Sequence, residues 1–382
     1  MSSLTMYLNK TGIKTIIMEW KGKGPVMNAH QKPVFISQEA LGARSFFYVG
    51  GTKMGEPGSQ YMDGQMFVEA YKPKVVSQPY PVIFFHGAGQ TSVNWLITPD
   101  GRKGWADYFV EQGYVVYLAE QPSRGRSAYH YTPENPLIYH DLEDLRERFT
   151  SDRGRWPQAA KHTQWPGYGE AGENWIFEQF ARGQVEYLPD NRKSQKLLLA
   201  CMEELLSITG PAILLTHSQA GPFGWNILDR YPDQVKAVVA LEPSGPPFSR
   251  NLSRPVAANY GISDLPLHFT PQVQSPEDFE LELFPAPREG LVDGWIMKKP
   301  YKLPHFAGKP ILLLVSQASY HAQFDHLTSA FFTQAGVPHD FVRLEQVGIH
   351  GNGHMMMLEK NNLEIAAWIH SWVVEKVGEK AS

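Results

Sequence analysis

Ala212-Ile213-Leu214-Leu215-Thr216-His217-Ser218-Gln219-Ala220-Gly221 is the stretch on which the fold turns. Its apolar start, Ala212–Leu215, reads as a buried strand, and Pro222–Arg230 beyond it has helical character. A serine on a tight strand-to-helix turn stands at the top of a sheet with its hydroxyl exposed, and the helix N-terminus there favours developing negative charge. Such a turn needs small neighbours. Thr216 and Ala220 occupy the positions where the G-x-S-x-G pattern has glycines. Pro222 fits a first helical turn, because the N–H it lacks would have no partner there. The competing reading makes Ser218 a simple helix cap.

Around this stretch, short apolar runs alternate with helix-like segments. Pro81–Phe85, Tyr114–Ala119, Val235–Leu241 and Pro310–Val315 read as further central strands. Ser45–Val49 and Gln65–Tyr71 read as antiparallel edge strands, and His339–Leu344 as the last strand. Helices are expected over Gly104–Glu111, Lys193–Ile208 and Asn362–Val377; the last carries Leu363, Ile365, Ala366, Ile369, Trp372 and Val373 at helical spacing. This order implies an α/β fold with a doubly wound, mostly parallel sheet in one domain over 1–382. Two stretches break the alternation. Residues 128–192, with Tyr129, Tyr131, Trp156, Trp165, Tyr168 and Trp175, are expected to form a helical, aromatic cap, and the proline-rich 245–305 a rim insertion.

The first parallel strand runs into His86-Gly87-Ala88-Gly89-Gln90. Acyl transfer needs two backbone N–H groups aimed at the carbonyl oxygen as it gains charge. The expected donors are Ala88 and Gln219, the residue after the nucleophile. A βα turn that binds nothing is the alternative. Neither phosphate-cradling glycine pattern is spelled there.

Past the last strand stands Gly348-Ile349-His350-Gly351-Asn352-Gly353-His354-Met355-Met356-Met357. A histidine on this loop can reach across the strand tops to Ser218. His354, on a glycine turn before the final helix, is favoured as general base over His350, for which a structural hydrogen bond is expected. Gly351 and Gly353 oppose the helix that an H-x-x-x-H metal site needs, so no metal is expected. The carboxylate that orients the histidine usually follows the penultimate strand, but Ser316-Gln317-Ala318-Ser319-Tyr320-His321 holds no acid before Asp325. Glu242, at the tip of Val235–Leu241, sits beside the nucleophile's strand. Strand-end placement favours Glu242; Asp325 and a structural ion pair for Glu242 stay open.

The chain has 382 residues, 42% hydrophobic, and a formal net charge of −4 without a Lys/Arg block, which excludes the electrostatic footprint of a nucleic-acid or anionic-membrane binder. No apolar run reaches the roughly 20 residues of a spanning helix. Asn9, Lys10, Lys14 and Glu19 interrupt any apolar leader, and the single Cys201 rules out an intrachain disulfide, so a cytoplasmic location is expected.

With these residues in view, the chain resembles the α/β-hydrolase superfamily, and within it a group of atypical bacterial esterases and their fungal relatives. The resemblance is carried by Thr98-Pro99-Asp100-Gly101-Arg102-Lys103-Gly104-Trp105, Glu120-Gln121-Pro122-Ser123-Arg124-Gly125-Arg126-Ser127, His217-Ser218-Gln219 and the Gly348–Met357 loop. It implies an α/β-hydrolase fold and a triad whose acid is a glutamate after the sixth strand, here Glu242, with Ser218 and His354. The expected function is cleavage of a small-molecule carboxylic ester through an acyl-enzyme, without a cofactor; a homodimer is left open. The alternative is lactonisation, cyclisation or C–C bond chemistry by the same triad in intracellular biosynthesis.

Overall fold

The computed structural model describes residues 4–8, 14–18, 34–132, 136–150, 154–167, 173–249 and 259–378. The described residues up to 35 form one compact unit and those from 36 onward another. In the first, β1 (Leu4–Leu8) and β2 (Lys14–Met18) make an antiparallel hairpin.

The second unit is built on an eight-stranded sheet. In chain order its strands are β3 (Leu41–Met54), β4 (Tyr61–Pro73), β5 (Val82–Phe85), β6 (Val116–Glu120), β7 (Ala212–His217), β8 (Val235–Leu241), β11 (Ile311–Val315) and β12 (Asp340–Arg343); β9 (Leu281–Phe284) and β10 (Gly294–Met297) form a separate small hairpin. The spatial order is β12-β11-β8-β7-β5-β6-β4-β3. From β6 to β12 all pairs are parallel, while β3 and β4 join antiparallel at one edge. This is the α/β-hydrolase fold expected from the sequence.

Strands buried on both faces read as unbroken apolar runs, because each face needs its own core. Leu312 and Leu314 of β11 join a core with α1 (Trp105–Glu111) and α6 (Asn362–Val377), whereas Ile311 and Leu313 join a core on the other face. That second core includes α3 (Asn191–Thr209), α4 (Gly221–Arg230) and α5 (Asp325–Gln334). Each such fully buried side chain contributes roughly 1.5–3 kcal/mol of transfer free energy.

The two segments that break the alternation divide between these cores. Leu145, Phe149, Trp165, Phe177 and Phe180, the last two on α2 (Glu173–Arg182), pack into the α1/α6 core. Phe248, Ile262, Phe269, Phe279 and Leu303 pack into the α3/α4 core. Of the aromatic residues expected in the first segment, Tyr168 lies outside the described residues, and Tyr131 is exposed.

Candidate active site

β7 runs into Ser218, whose φ of 54° puts a non-glycine residue in the left-handed region, a strained geometry of the kind a strand-to-helix elbow takes. A 3-10 turn over Ser218–Ala220 then leads into α4, with Pro222 in its first turn. The small residues this needs are not those of the usual pattern. A Cβ on Gly221 would lie 2.3 Å from that of Pro243, and one on Gly87 would lie 3.1 Å from that of Ser218. Gly221 therefore lets β8's tip close on the turn, and Gly87 lets the βα loop after β5 lie against Ser218.

Glu242 follows directly on β8 and also has positive φ, 46°. Its Oε2 lies 2.5 Å from Nδ1 of His354 and accepts from the Ser319 hydroxyl at 2.6 Å, while Oε1 accepts from the Ser316 N–H at 2.7 Å. Both partners are buried. Burial and the Asp325 carboxyl push Glu242 above the usual carboxylate range, against the hydrogen bonds from Ser319 and Ser316. Burial, then His217, His321 and Arg148, hold His354 well below the usual imidazole range. Both shifts oppose separated charge in the buried pair, while the geometry turns His354 Nδ1 to the Glu242 carboxyl and Nε2 to the Tyr320 hydroxyl.

The ring of His354 stacks with Phe149 at 5.4 Å and with His321 at 4.9 Å. Its loop is tied by Glu359, which accepts from His162 Nε2 at 2.7 Å, from Asn352 Nδ2 at 2.7 Å and from the Gly353 N–H. Asp325 does not touch His354; it pairs with His321 Nδ1 at 2.8 Å. His350 is exposed, and its main-chain oxygen accepts from Gln164.

Among the described residues, Ser218 makes no direct hydrogen bond to His354. The Tyr320 hydroxyl is 3.4 Å from His354 Nε2 and lines the same small space as Ser218. Catalytic bonds of this kind are often long in the free enzyme and tighten with substrate. The space beside Ser218 measures about 30 Å³ and is lined by Ala88, Phe149, Tyr320 and Met355 among others.

Arg124 lies beneath the candidate oxyanion turn and is missed by sequence reasoning, although it belongs to the Glu120–Ser127 stretch. It is buried without a carboxylate bonded to it among the described residues, and burial lowers its pKa to about 9. It donates to the Gly87 carbonyl at 3.1 Å and to Gln219 Oε1 at 3.2 Å. The Gly87 carbonyl belongs to the same peptide unit as the Ala88 N–H. Arg124 thereby grips both loops that carry the expected donors and polarises one of those peptides.

No protein-family model matches the chain. It is similar to the "Probable secreted lipase phiG" of Fungal sp. (strain ATCC 74256), with 41% identity over 333 residues, 86% of this chain and 89% of that protein. It also resembles the solved structure of a novel bacterial esterase, with a TM-score of 0.65 and 22% identity over 91% of this chain and 100% of that one, a likeness of fold. The cytoplasmic expectation is corrected by this relative, which is named as a secreted lipase. That expectation rested on a lone cysteine and an interrupted apolar run. Neither is a bar to folding outside the cell, since a core of this size holds without a disulfide. Among the described residues no helix is long and apolar enough to cross a membrane.

Proposed function

The chain belongs to the α/β-hydrolase family of esterases and lipases, carboxylic ester hydrolases, and we propose that it works through a triad of Ser218, His354 and Glu242. The observation that carries this reading is the 2.5 Å contact between Glu242 and Nδ1 of His354, at the tip of the strand next to the one that runs into Ser218. A carboxylate there fixes the tautomer with Nε2 unprotonated and stabilises the imidazolium once it forms.

In the proposed reaction Ser218 Oγ attacks the ester carbonyl while His354 Nε2 takes its proton. The carbonyl oxygen becomes an oxyanion facing the N–H groups of Ala88 and Gln219, which Arg124 holds in place. Collapse expels the alcohol, protonated by His354, and leaves an acyl-Ser218 ester. Water, deprotonated by His354, then releases the acid and restores Ser218.

About 30 Å³ accommodates little more than a water molecule. An ester must therefore displace part of the lining, and the 128–192 segment, which contributes His140, Arg148 and Phe149 to it, is the part we assign as a cap. The apolar faces of Phe149, Met355 and Tyr320 suit a small ester with an apolar acyl group. A serine-directed fluorophosphonate is expected to label the wild type and not Ser218→Ala, with aryl-ester turnover lost in the variant. Turnover kept by Ser218→Ala, or labelling elsewhere, refutes the triad.

A further inference from the structure

The helix that begins at the nucleophile ends at a second cluster of chemically capable side chains. Asp229 stands in the last turn of α4, with its carboxylate buried. His268 comes from the segment after residue 259, and His305 from the 3-10 turn Pro304–Phe306 just before β11. Because α4 starts at the tips of β7 and β8 and β11 starts at the opposite edge, the cluster lies at the far end of the sheet from Ser218.

Both imidazoles turn Nδ1 towards Asp229. His268 Nδ1 is 2.8 Å from Oδ2, and His305 Nδ1 is 3.5 Å from Oδ1 and 2.7 Å from the Asp229 carbonyl oxygen. One ligand atom from each residue lies within 4.8 Å of the others, and the ring centroids are 4.5 Å apart. A tetrahedral ion with bonds of about 2.0–2.1 Å holds its ligand atoms about 3.3–3.4 Å apart, so the nitrogen-to-carboxylate separations already straddle the required value.

Two imidazoles with one carboxylate form a ligand set that suits zinc-class ions and is poor for calcium or magnesium, which prefer oxygen. The C-terminal end of α4 adds a field that favours positive charge. The His268 and His305 side chains are 58% and 37% exposed, which leaves a path for the ion and room for a water as fourth ligand.

We propose that Asp229, His268 and His305 form a zinc-class metal site that fastens the 259–305 segment to the end of the nucleophile's helix. The ion takes the place of the protons that now hold the two rings to Asp229. It lies far from the ester-cleaving residues, and the inference stands whether or not the triad is assigned correctly.

The test is titration of the chelator-treated full chain with Zn²⁺ by calorimetry, and with Co²⁺ by visible absorption. Expected is one saturable site, a tetrahedral-type Co²⁺ spectrum and a rise in Tm on adding Zn²⁺. His268→Ala and His305→Ala should each weaken binding at least about tenfold, the typical minimum for losing a ligand or its support, while Ser218→Ala leaves it unchanged. Circular dichroism of both histidine variants without metal checks that they fold; should one not, the charge-neutral Asp229→Asn replaces it. No saturable binding by the wild type, or binding that survives both histidine substitutions, overturns the proposal.

Discussion

Replacing Glu242 by glutamine changes one atom of the side chain and removes its charge. Oε1 of the amide can still accept from the Ser316 N–H, whose present distance is 2.7 Å, so the β8 tip has reason to stay where it is. What changes is the group facing Nδ1 of His354 at 2.5 Å. An amide NH₂ donates there, which leaves the ring's own proton on Nε2, the nitrogen that must accept from Ser218. The ring must then turn over or adopt the less favourable tautomer, and the imidazolium formed during attack loses its counter-charge in a buried site. Loss of the tautomer in a serine triad lowers kcat about 10⁴-fold, which corresponds to about 5.5 kcal/mol in the barrier. The expected result is a 10³- to 10⁴-fold fall in kcat on an aryl ester with KM changed less than about threefold. Asp325→Asn is the matched control. Asp325 carries a buried carboxyl near the same histidine, yet it is bonded to His321, so a fall of less than about tenfold is expected. Single-turnover kinetics on both variants, with Tm measured in parallel, separate chemistry from folding. Glu242→Gln retaining a tenth of wild-type kcat, or Asp325→Asn falling as far as Glu242→Gln, refutes the assignment.

Arg124→Met frees the Gly87 peptide and the Gln219 side chain together, so kcat should fall about 10- to 100-fold, somewhat less than for outright loss of an oxyanion donor; unchanged kcat in a folded variant would show that the grip is irrelevant to the reaction. Phe149→Ala opens the small space beside Ser218 and should improve kcat/KM for bulky acyl groups relative to acetyl, at a stability cost of about 3–5 kcal/mol; an unaltered chain-length preference argues against the cap. Stability should fall in mild acid. His86 and His217 are buried with pKa values lowered to about 3. Below about pH 6.5 the unfolded chain binds protons these two do not, so each removes up to about 1.4 kcal/mol per pH unit down to about pH 3. Asp325 and Glu242, both raised chiefly by burial, work in the opposite direction, and His354, lowered chiefly by burial, works in the same one. Urea midpoints measured at pH 7.5, 6.0 and 5.0 should decline steadily, and a flat series contradicts the burial of neutral histidines.

The central strands were legible because a strand covered on both faces has to be apolar throughout, and β8 and α6 have the bounds expected of them. The edge pair was read too short. β3 and β4 run on through Thr52, Lys53 and Asp63, where the hairpin carries exposed Thr52 and Lys53 and half-buried Asp63 in no apolar pattern. At the site, Ser218, His354 and Glu242 could be singled out because each sits at the end of a strand or on a glycine turn. Arg124, Glu359 and Tyr320 could not. Each acts through a partner distant in the chain: Arg124 through Gln219, Glu359 through His162, and Tyr320 through His354. A single sequence does not show such pairings.

The position proposed for the acid follows from what fills the seat it would ordinarily take. After β11, where a carboxylate would ordinarily stand, the chain offers the Ser316 N–H and the Ser319 hydroxyl, and both donate to Glu242 on the neighbouring strand. Neighbouring strands are about 4.8 Å apart, more than the one methylene by which glutamate exceeds aspartate can span. The rest of the distance is covered by the backbone. Positive φ at Glu242 swings the side chain from the β8 tip across towards β11, a strained conformation that costs on the order of 1–3 kcal/mol. Ser316 and Ser319 offset that cost by satisfying the buried carboxylate. The two serines and the turned backbone therefore form one device with the glutamate. Shortening Glu242 to aspartate should then impair the site nearly as much as glutamine does, since the carboxylate would reach neither His354 nor both serine donors at once.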